Sequence, residues 1–255
     1  MWVSLNFDYV RMTLIKAMPS PAKPFRFKQF EIVQSRSAMR VGTDAVLLAA
    51  WVRLSNCKHV LDVGTGTGVI ALICAQRCSL ASIEAIEIDQ GSAEDARDNF
   101  EQSPWSERLK IHLGDFLKIV TSDKFDLIIS NPPYFTHSLR AADPIRNAAR
   151  HDDYLPSDAF MRHAKGMLNS EGKVALIFPK SELERWMMDA EAVGLKPSRI
   201  CHVFTLAHKD AARVMIEFSF HAPTEPEMES ILIQKSPGEP SDAYKQMTTE
   251  FYTKW

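Results

Sequence analysis

The run Asn131-Pro132-Pro133-Tyr134 follows an apolar stretch and carries groups that could hold a planar amine. Two prolines stop the preceding strand, because proline fixes its backbone and cannot donate a hydrogen bond to a neighbouring strand. The Asn131 side-chain oxygen and the Pro132 carbonyl could accept the two hydrogens of an amino group, and Tyr134 could stack on a planar ring. A conjugated amine is a poor nucleophile, so holding its lone pair towards a methyl donor is useful chemistry. A turn with an aromatic cap is the simpler alternative.

Three glycines alternate along a turn that follows an apolar, strand-like run: Gly64, Gly66 and Gly68. Glycine lets the backbone approach a ligand closely where the next helix begins. The segment from Gly66 to Ala71 also fits the dinucleotide-binding pattern G-x-G-x-x-G/A, which is weak evidence when it stands alone. Asp62 stands just before the turn, and the turn contains no Arg or Lys. This negative charge suits a ligand with a positive group better than it suits a pyrophosphate. The alternative is a turn whose glycines are needed only for packing of the strand against the helix.

Two further acids, Glu87 and Asp115, stand at or just after the ends of the next two strand-like runs. In a parallel sheet such acids share the carboxyl edge, where ligands of these folds bind. Glu87 lies 19 residues after Gly68, the spacing at which an acid reaches ribose hydroxyls, and Asp89 is the alternative. With Asp62 they predict an edge of three carboxylates without a balancing cation. S-adenosylmethionine, with its sulfonium and ammonium groups, fits such an edge, whereas anionic NAD does not.

Apolar periodicity predicts the elements that must position these residues. Short β-rich runs alternate with amphipathic helical segments, which is typical of βαβ units on a parallel sheet. The last two runs are only six residues apart, too few for a parallel crossover, so we expect them to pair antiparallel. The prediction is an α/β, Rossmann-like fold with a mostly parallel seven-stranded sheet, a C-terminal antiparallel hairpin strand and helices on both faces. Strands are expected over 59–63, 82–88, 109–113, 125–130, 173–178, 199–206 and 213–220, and helices over 43–54, 67–78, 91–101, 157–168 and 181–193. Thr43 is expected to cap the first helix.

The composition is that of an ordinary globular protein, with 255 residues, 45% hydrophobic and 24% charged. It excludes a disordered or collagen-like chain. The four cysteines form no C-x-x-C pair, which predicts reduced core thiols and no metal site. No apolar run reaches the ~18 residues of a membrane span, and the N-terminus lacks a signal-peptide core. We therefore expect a cytoplasmic protein without membrane contact.

The net charge of −2 at pH 7 gives no argument for a nucleic-acid partner, so local basic patches must supply one. Residues 11–40 hold seven basic residues and one acid, interleaved with phenylalanines. Basic and aromatic side chains together suit phosphate contact and base stacking on single-stranded RNA. A solvated face over buried phenylalanines is the alternative. The candidate RNA contacts are Arg26, Lys28, Arg36 and Arg40 in this patch, and Arg140, Arg146 and Arg150 after Tyr134.

The chain divides into three parts by composition. We expect a flexible N-terminal extension over residues 1–24, the main domain over 25–222, and a C-terminal segment over 223–255 that packs on the same domain. The C-terminal segment is acidic and contains prolines, which suggests loose attachment and one short strand over 231–234.

The acid and glycines of residues 62–68, followed by the run 131–134, resemble class I S-adenosylmethionine-dependent methyltransferases that modify exocyclic or amide nitrogens. These motifs are shared by adenine-N6 methyltransferases and by glutamine-N5 methyltransferases of release factors. The flanks FRFKQF at 25–30, MRVGTDA at 39–45 and ARH at 149–151 are similar to the bacterial valine-tRNA adenine-37 N6-methyltransferase family, as is the ending with Tyr244 and Phe251-Tyr252. Glutamine methyltransferases usually carry a helical domain ahead of the glycine-rich turn, and only 59 residues precede Val60.

Carried over by position, the resemblance implies two groups of site residues. The cofactor's methionine end would lie against Asp62, Gly64, Gly66 and Gly68, its ribose at Glu87, its adenine at Asp115, and its carboxylate near the helix start at Thr43 and Asp44. The target base would be held by Asn131, Pro132 and Tyr134.

The implied reaction moves a methyl group from S-adenosylmethionine to N6 of an adenine in tRNA, by direct displacement, and leaves S-adenosylhomocysteine. The implied nucleotide is adenine 37 of valine tRNA, and we expect a monomer that needs no metal. Three alternatives stay open: methylation of a protein glutamine or of ribosomal RNA, a nicotinamide-dependent oxidoreductase, and a non-catalytic RNA-binding module.

Overall fold

The computed structural model describes residues 23–37, 39–133 and 155–254, and strands form its centre. Two short strands, β1 (Phe25–Arg26) and β2 (Glu31–Ile32), pair antiparallel ahead of the main sheet. The main sheet contains β3 (His59–Val63), β4 (Ser82–Glu87), β5 (Leu109–Leu113), β6 (Phe125–Ser130), β7 (Leu168–Pro179), β8 (Lys196–Phe204), β9 (Arg213–Ser219) and β10 (Glu227–Leu232). A last short pair is β11 (Gln234–Ser236) and β12 (Glu239–Pro240).

The strand order across the main sheet is β10-β8-β9-β7-β6-β3-β4-β5. Neighbours from β7 to β5 are parallel, and β9 is antiparallel to both β7 and β8. The expected Rossmann-like class and the antiparallel pairing of the last two predicted strands are confirmed. The expected count of seven is wrong, because β10 pairs in parallel with β8 and makes an eighth described strand.

Helices cover both faces of the sheet. They are α1 (Thr43–Trp51), α2 (Val69–Arg77), α3 (Gln90–Glu101), α4 (Ser157–Met167), α5 (Leu183–Ala192) and α6 (Asp242–Thr248). Side chains of a strand alternate between faces, so Leu127 and Ile129 join one core cluster with α1, α2 and α3, while Ile128 joins the other with α4 and α5. None of the helices in the described ranges is long and apolar enough to cross a membrane.

The start of α1 differs from the prediction. Gly42, not Thr43, is the N-cap residue, and no side chain caps this helix. Thr43 already has helical geometry as the first residue, so its hydroxyl is free of the capping role and points to other partners. At the opposite end of the chain, Ser241 caps α6 by accepting a hydrogen bond from the Tyr244 N–H over 3.0 Å. The periodicity did not predict α6.

The C-terminal segment is firmly attached, contrary to its acidic composition. Glu229 on β10 accepts hydrogen bonds from Arg199 Nε over 2.6 Å and from the Trp51 indole over 2.7 Å. Glu227 pairs with Arg53 over 2.6 Å. Glu229 and Glu227 are thus neutralised by cations on β8 and just after α1, which a local count of charge does not reveal.

The described N- and C-terminal flanks pack on each other. Phe27 forms an isolated antiparallel bridge with Tyr252, and its ring stacks on Phe30 with centroids 4.5 Å apart. The Lys28 N–H donates to the Phe251 carbonyl over 2.8 Å. Phe27 and Phe30 are buried, so the interpretation of these phenylalanines as core residues holds over that of RNA-stacking residues.

Candidate active site

Parallel pairing of β3, β4, β5 and β6 brings the predicted site residues to one edge of the sheet. The register places Val63 beside both Ile86 and Ser130, and Glu87 beside Leu113. All four strands therefore end at nearly the same level. The acids at the ends of β3, β4 and β5 and the Asn131 turn after β6 follow these ends, as the spacing predicts.

The glycine-rich loop adopts a backbone that other residues rarely take. Gly64, Gly66 and Gly68 have φ angles of +68°, +58° and +88°. A Cβ atom added at Gly64 or Gly66 would meet nothing within 4 Å, whereas one at Gly68 would lie 2.5 Å from Cε1 of Phe100. The first two positions thus leave an open cradle of backbone, and the third permits close packing of α2 against α3.

Asp62 lies underneath this loop and is fully buried. Its Oδ2 accepts hydrogen bonds from the Thr65 hydroxyl over 2.5 Å and from the Ala71 N–H over 3.1 Å. Burial raises its pKa to about 7, because a low-dielectric environment disfavours the charged form. Oδ1 accepts no hydrogen bond from the residues that the structure describes. Asp62 therefore shapes the loop from below and retains one unused acceptor.

Glu87 holds the upper side of the same loop. Its Oε2 accepts the Gly66 N–H over 2.8 Å, and Oε1 accepts the Asp89 N–H over 2.9 Å. Asp89 is exposed and caps α3 by accepting the Ser92 N–H over 2.7 Å. The two candidate acids thus have different surroundings, and Glu87 is the one in contact with the glycine-rich loop.

Asp115 follows β5 and begins a short 3-10 turn. Its Oδ1 accepts the Leu117 N–H over 3.0 Å, and its Oδ2 pairs with the Lys118 ammonium over 3.0 Å. Partial burial raises the pKa of Asp115, but the bonds from Lys118 and Leu117 outweigh that effect and lower the pKa overall. The expectation that no cation balances the acids of this edge is wrong at Asp115.

The end of β6 carries the expected amine-binding groups. The Ser130 hydroxyl donates to the Val63 carbonyl over 2.7 Å, which ties the end of β6 to that of β3. Asn131 follows half-buried, and Pro132 is buried. Tyr134 lies outside the described residues, as do Arg140, Arg146 and Arg150.

The first residues of α1 reach the same edge. Asp44 pairs with Arg213 Nε over 2.9 Å, and the Thr43 side chain forms a hydrogen bond with Tyr244. Arg213 opens β9 beside Pro179, the last residue of β7. Arg213 and this role of Tyr244 were not predicted, because no local pattern marks a partner so distant in the chain.

Comparison with known proteins identifies the chain. The family described as "Methyltransferase small domain" matches residues 25–191. A protein of Phocaeicola vulgatus named tRNA1(Val) (adenine(37)-N6)-methyltransferase is 40% identical, covering 92% of this chain and 99% of its own. A protein of Vibrio vulnificus with the same name is 39% identical, covering 91% and 96%. The chain belongs to this methyltransferase family. The resemblance seen in the motifs is confirmed, and the oxidoreductase and non-catalytic alternatives are not supported.

Solved structures agree with the fold of this methyltransferase. A predicted O-methyltransferase from Agrobacterium tumefaciens superimposes with a TM-score of 0.64 at 19% identity, over 82% of this chain and 96% of that one. A methyltransferase from Streptomyces caelestis gives a TM-score of 0.53 at 11% identity, over 74% and 96%. The family implies S-adenosylmethionine as methyl donor.

Three of the four described candidate RNA contacts of the methyltransferase already have protein partners. Arg26 pairs with Glu31 over 2.9 Å, and the Lys28 ammonium donates to the Thr249 carbonyl over 2.6 Å. Arg36 pairs with Asp98 over 2.7 Å. The fourth described candidate, Arg40, is exposed.

Within the described ranges, no group of three His, Cys, Asp or Glu side chains could hold a metal ion. Among the cysteines, Cys57, Cys74 and Cys201 are buried. Burial raises the pKa of the Cys57 thiol to about 11, so this thiol stays protonated at neutral pH.

Proposed function

We propose that this methyltransferase transfers a methyl group from S-adenosylmethionine to N6 of adenine 37 in valine tRNA. The observation that carries the proposal is the position of Asn131 and Pro132. They follow β6 at the same sheet edge where Glu87 contacts the glycine-rich loop after β3. An amine acceptor site and a nucleoside-type site therefore adjoin, as a methyl transfer between two ligands requires.

The residues at this edge fit S-adenosylmethionine. The backbone cradle at Gly64 and Gly66 leaves open space for the methionine end, and the unused Oδ1 of Asp62 beneath it favours a ligand of positive charge. We assign the ribose to Glu87 rather than to Asp89, because Glu87 is the acid that contacts the glycine-rich loop, through the Gly66 N–H.

The adenine of the cofactor is assigned to the neighbouring end of β5. Two exposed apolar side chains lie next to Glu87: Ile88, which follows it in the chain and is 50% accessible, and Leu113, its register partner on β5, which is 52% accessible. Apolar groups of this kind suit the faces of a planar base. Asp115 would accept a hydrogen bond from the exocyclic amine of the adenine. Thr43 and Asp44, at the start of α1, would face the carboxylate end.

The chain's own residues would act on the target base by positioning. The Asn131 side-chain oxygen and the Pro132 carbonyl would accept the two amine hydrogens, and Tyr134 would stack on the ring. The bound cofactor supplies the methyl group. The two acceptors would stabilise positive charge growing on the nitrogen as the new bond forms, so no covalent enzyme intermediate is needed.

We further propose that tRNA is held by few ionic contacts, chiefly Arg40 with Arg140, Arg146 and Arg150. Arg26, Lys28 and Arg36 would contribute less, because their charged groups already contact protein atoms. Each phosphate contact steepens the dependence of affinity on salt. A shallow salt slope is therefore expected for tRNA binding.

The proposal is tested with Asn131→Ala, measured for tRNA methylation and for S-adenosylmethionine affinity. Removing one acceptor of the amine should lower kcat by roughly 10²-fold and leave cofactor affinity close to wild type. The matched control is Asn169→Ala. Asn169 donates to Asp126 over 2.6 Å at the opposite end of β6, so its loss should not lower kcat. An Asn131→Ala variant with wild-type rate and affinity would refute the amine-binding role.

Substrate class is tested by incubating the wild-type enzyme with radiolabelled cofactor and separate pools of tRNA, ribosomal RNA and release factor. Label should enter the tRNA pool. Label entering only the protein would refute the proposal in favour of glutamine methylation. Mapping modified nucleosides in tRNA from a deletion strain would then identify the nucleotide.

A further inference from the structure

We infer that Asp95 and Asn99, which lie one turn apart on α3, are positioning residues for the cofactor site. They fix residues 33–37 of the N-terminal flank against the glycine-rich loop. The inference rests on the proposed function, since it concerns the same cofactor site, and it assigns that site two residues beyond those with a ligand role.

Asn99 joins the flank directly to the loop. It is 2% exposed. Its Oδ1 accepts the Val33 N–H over 2.8 Å, while its Nδ2 donates to the Val33 carbonyl and to the Thr67 carbonyl, each over 2.9 Å. Thr67 stands between Gly66 and Gly68. One buried amide therefore satisfies three backbone groups and connects two segments that are separate in the chain.

Asp95 holds the next part of the flank. It is fully buried, and its Oδ2 accepts the N–H groups of Arg36 and Ser37, each over 2.9 Å. Its Oδ1 pairs with Arg36 Nη1 over 3.1 Å. A buried carboxylate that accepts two backbone N–H groups and an arginine is strongly held in place. This explains why Arg36 belongs to the structural part of the basic flank.

The contact between flank and helix is close along its length. A Cβ atom added at Gly91 would lie 2.9 Å from the Arg36 carbonyl oxygen. The Ser92 hydroxyl donates to the Ser37 hydroxyl over 2.9 Å. Glycine at position 91 therefore lets the flank lie directly on α3.

This arrangement connects the three parts of the proposed cofactor site. The helix that carries Asp95 and Asn99 is capped by Asp89, whose N–H donates to Glu87. Its Asn99 amide holds the loop, and the flank that it anchors continues to Thr43 at the start of α1. Both side chains use their hydrogen bonds on protein atoms, so they act on the ligand through the loop and the flank.

The test compares Asn99→Ala with Asp98→Asn. Asp98 is the matched control because it is next to Asn99 on the same helix and its carboxylate accepts a hydrogen bond from the exposed Arg36 guanidinium rather than from the loop. Calorimetry with S-adenosylmethionine should show about tenfold weaker binding to Asn99→Ala. This is the change in affinity expected when the loop loses roughly one well-aligned hydrogen bond that holds it in its binding conformation. Binding to Asp98→Asn should stay within about twofold of wild type.

Kinetics separate positioning from general destabilisation. With tRNA as substrate, Asn99→Ala should raise the KM for S-adenosylmethionine in parallel with the dissociation constant, while kcat and the KM for tRNA stay within about threefold. A lower Tm with unchanged cofactor affinity would overturn the inference, because Asn99 would then serve stability alone. If Asn99→Ala does not fold, Ser92→Ala removes only the Ser37 tether, and it should weaken cofactor binding about threefold.

Failure of the proposed function gives a different result. Cofactor affinity is measured without tRNA, so wild-type protein that binds S-adenosylmethionine but leaves tRNA unlabelled contradicts the tRNA assignment and still tests Asn99. Wild-type cofactor binding and tRNA methylation, with equal cofactor affinity in Asn99→Ala, overturn this inference and leave the function standing.

Discussion

The Glu87 carboxylate accepts the backbone N–H of Gly66 over 2.8 Å, so the end of β4 holds the glycine-rich loop that follows β3. The same carboxylate accepts the Asp89 N–H where α3 begins. One side chain therefore fixes the relative positions of a loop and a helix that both border the cofactor site.

Replacing Glu87 by Gln should weaken S-adenosylmethionine binding by about 10- to 100-fold, because charge-assisted hydrogen bonds contribute roughly 1.5–3 kcal/mol. The amide retains one oxygen, but its NH2 group faces one of the two N–H donors. Calorimetry checks this. Glu84→Gln is the control, since Glu84 lies on the same strand but pairs with His112 over 2.7 Å. Equal affinities for the two variants would contradict the role of Glu87.

Replacing Gly68 by Ala should lower the free energy of unfolding by about 2–4 kcal/mol. The added Cβ would lie 2.5 Å from the Phe100 ring, at a φ of +88° that L side chains rarely adopt. Thermal unfolding measures the change. The control Gly166→Ala is in α4, where nothing lies within 4 Å of the added Cβ, so Ala should be neutral or stabilising by up to ~1 kcal/mol. Unchanged stability of Gly68→Ala would refute the close packing.

The pH dependence of the free energy of unfolding should reveal the titration of Asp62. Burial raises its pKa to about 7 in the folded protein, whereas an unfolded aspartate has a pKa near 3.9. Between these values the folded state binds more protons, so stability is highest below pH 4 for this group and falls as pH rises towards 7.

The variant Asp62→Asn removes this titration. Its free energy of unfolding, relative to wild type, should improve steadily from pH 4 to pH 7, and urea unfolding at several pH values measures the difference. A constant difference over that range would mean that Asp62 keeps an ordinary pKa in the folded protein.

Replacing Glu229 by Ala should destabilise the protein by about 2–3 kcal/mol, because it leaves Arg199, whose side chain is 10% exposed, without its closest carboxylate. Glu227→Ala is the matched control on the same strand. The Glu227 pair with Arg53 has both side chains about half exposed, so its loss should cost less than ~1 kcal/mol. Urea unfolding compares the two, and equal losses would show that β10 is not anchored through Arg199.

The parallel centre of the fold was predictable from sequence because its central strands β3 and β6 are almost wholly buried and form mostly apolar runs. The strands expected over 59–63, 109–113 and 125–130 have those bounds in the structure. Strand β10 was not predictable as part of the main sheet, because its acidic residues indicate a segment exposed to solvent. The two donors to Glu229, the Arg199 guanidinium and the Trp51 indole, lie 30 and 178 residues away in the chain.

The same limit applies to the candidate site. Its acids, glycines and Asn131 turn follow strand ends, so spacing alone brings them to one edge. Arg213 contacts Asp44 across 169 residues, and Asn99 contacts Val33 across 66. No periodic pattern encodes such pairs. Each of these side chains belongs to a helix or strand whose hydrophobic periodicity is the same whether or not the contact forms.

The bond between Lys28 and the Thr249 carbonyl spans 221 residues, so this contact cannot form before residue 249 has left the ribosome. The contacts of Phe25 and Phe27 with the Tyr252 ring must form equally late. During synthesis the amino-terminal flank therefore exposes apolar rings while the sheet behind it is being completed. The step that buries these rings comes after nearly the whole chain has been made.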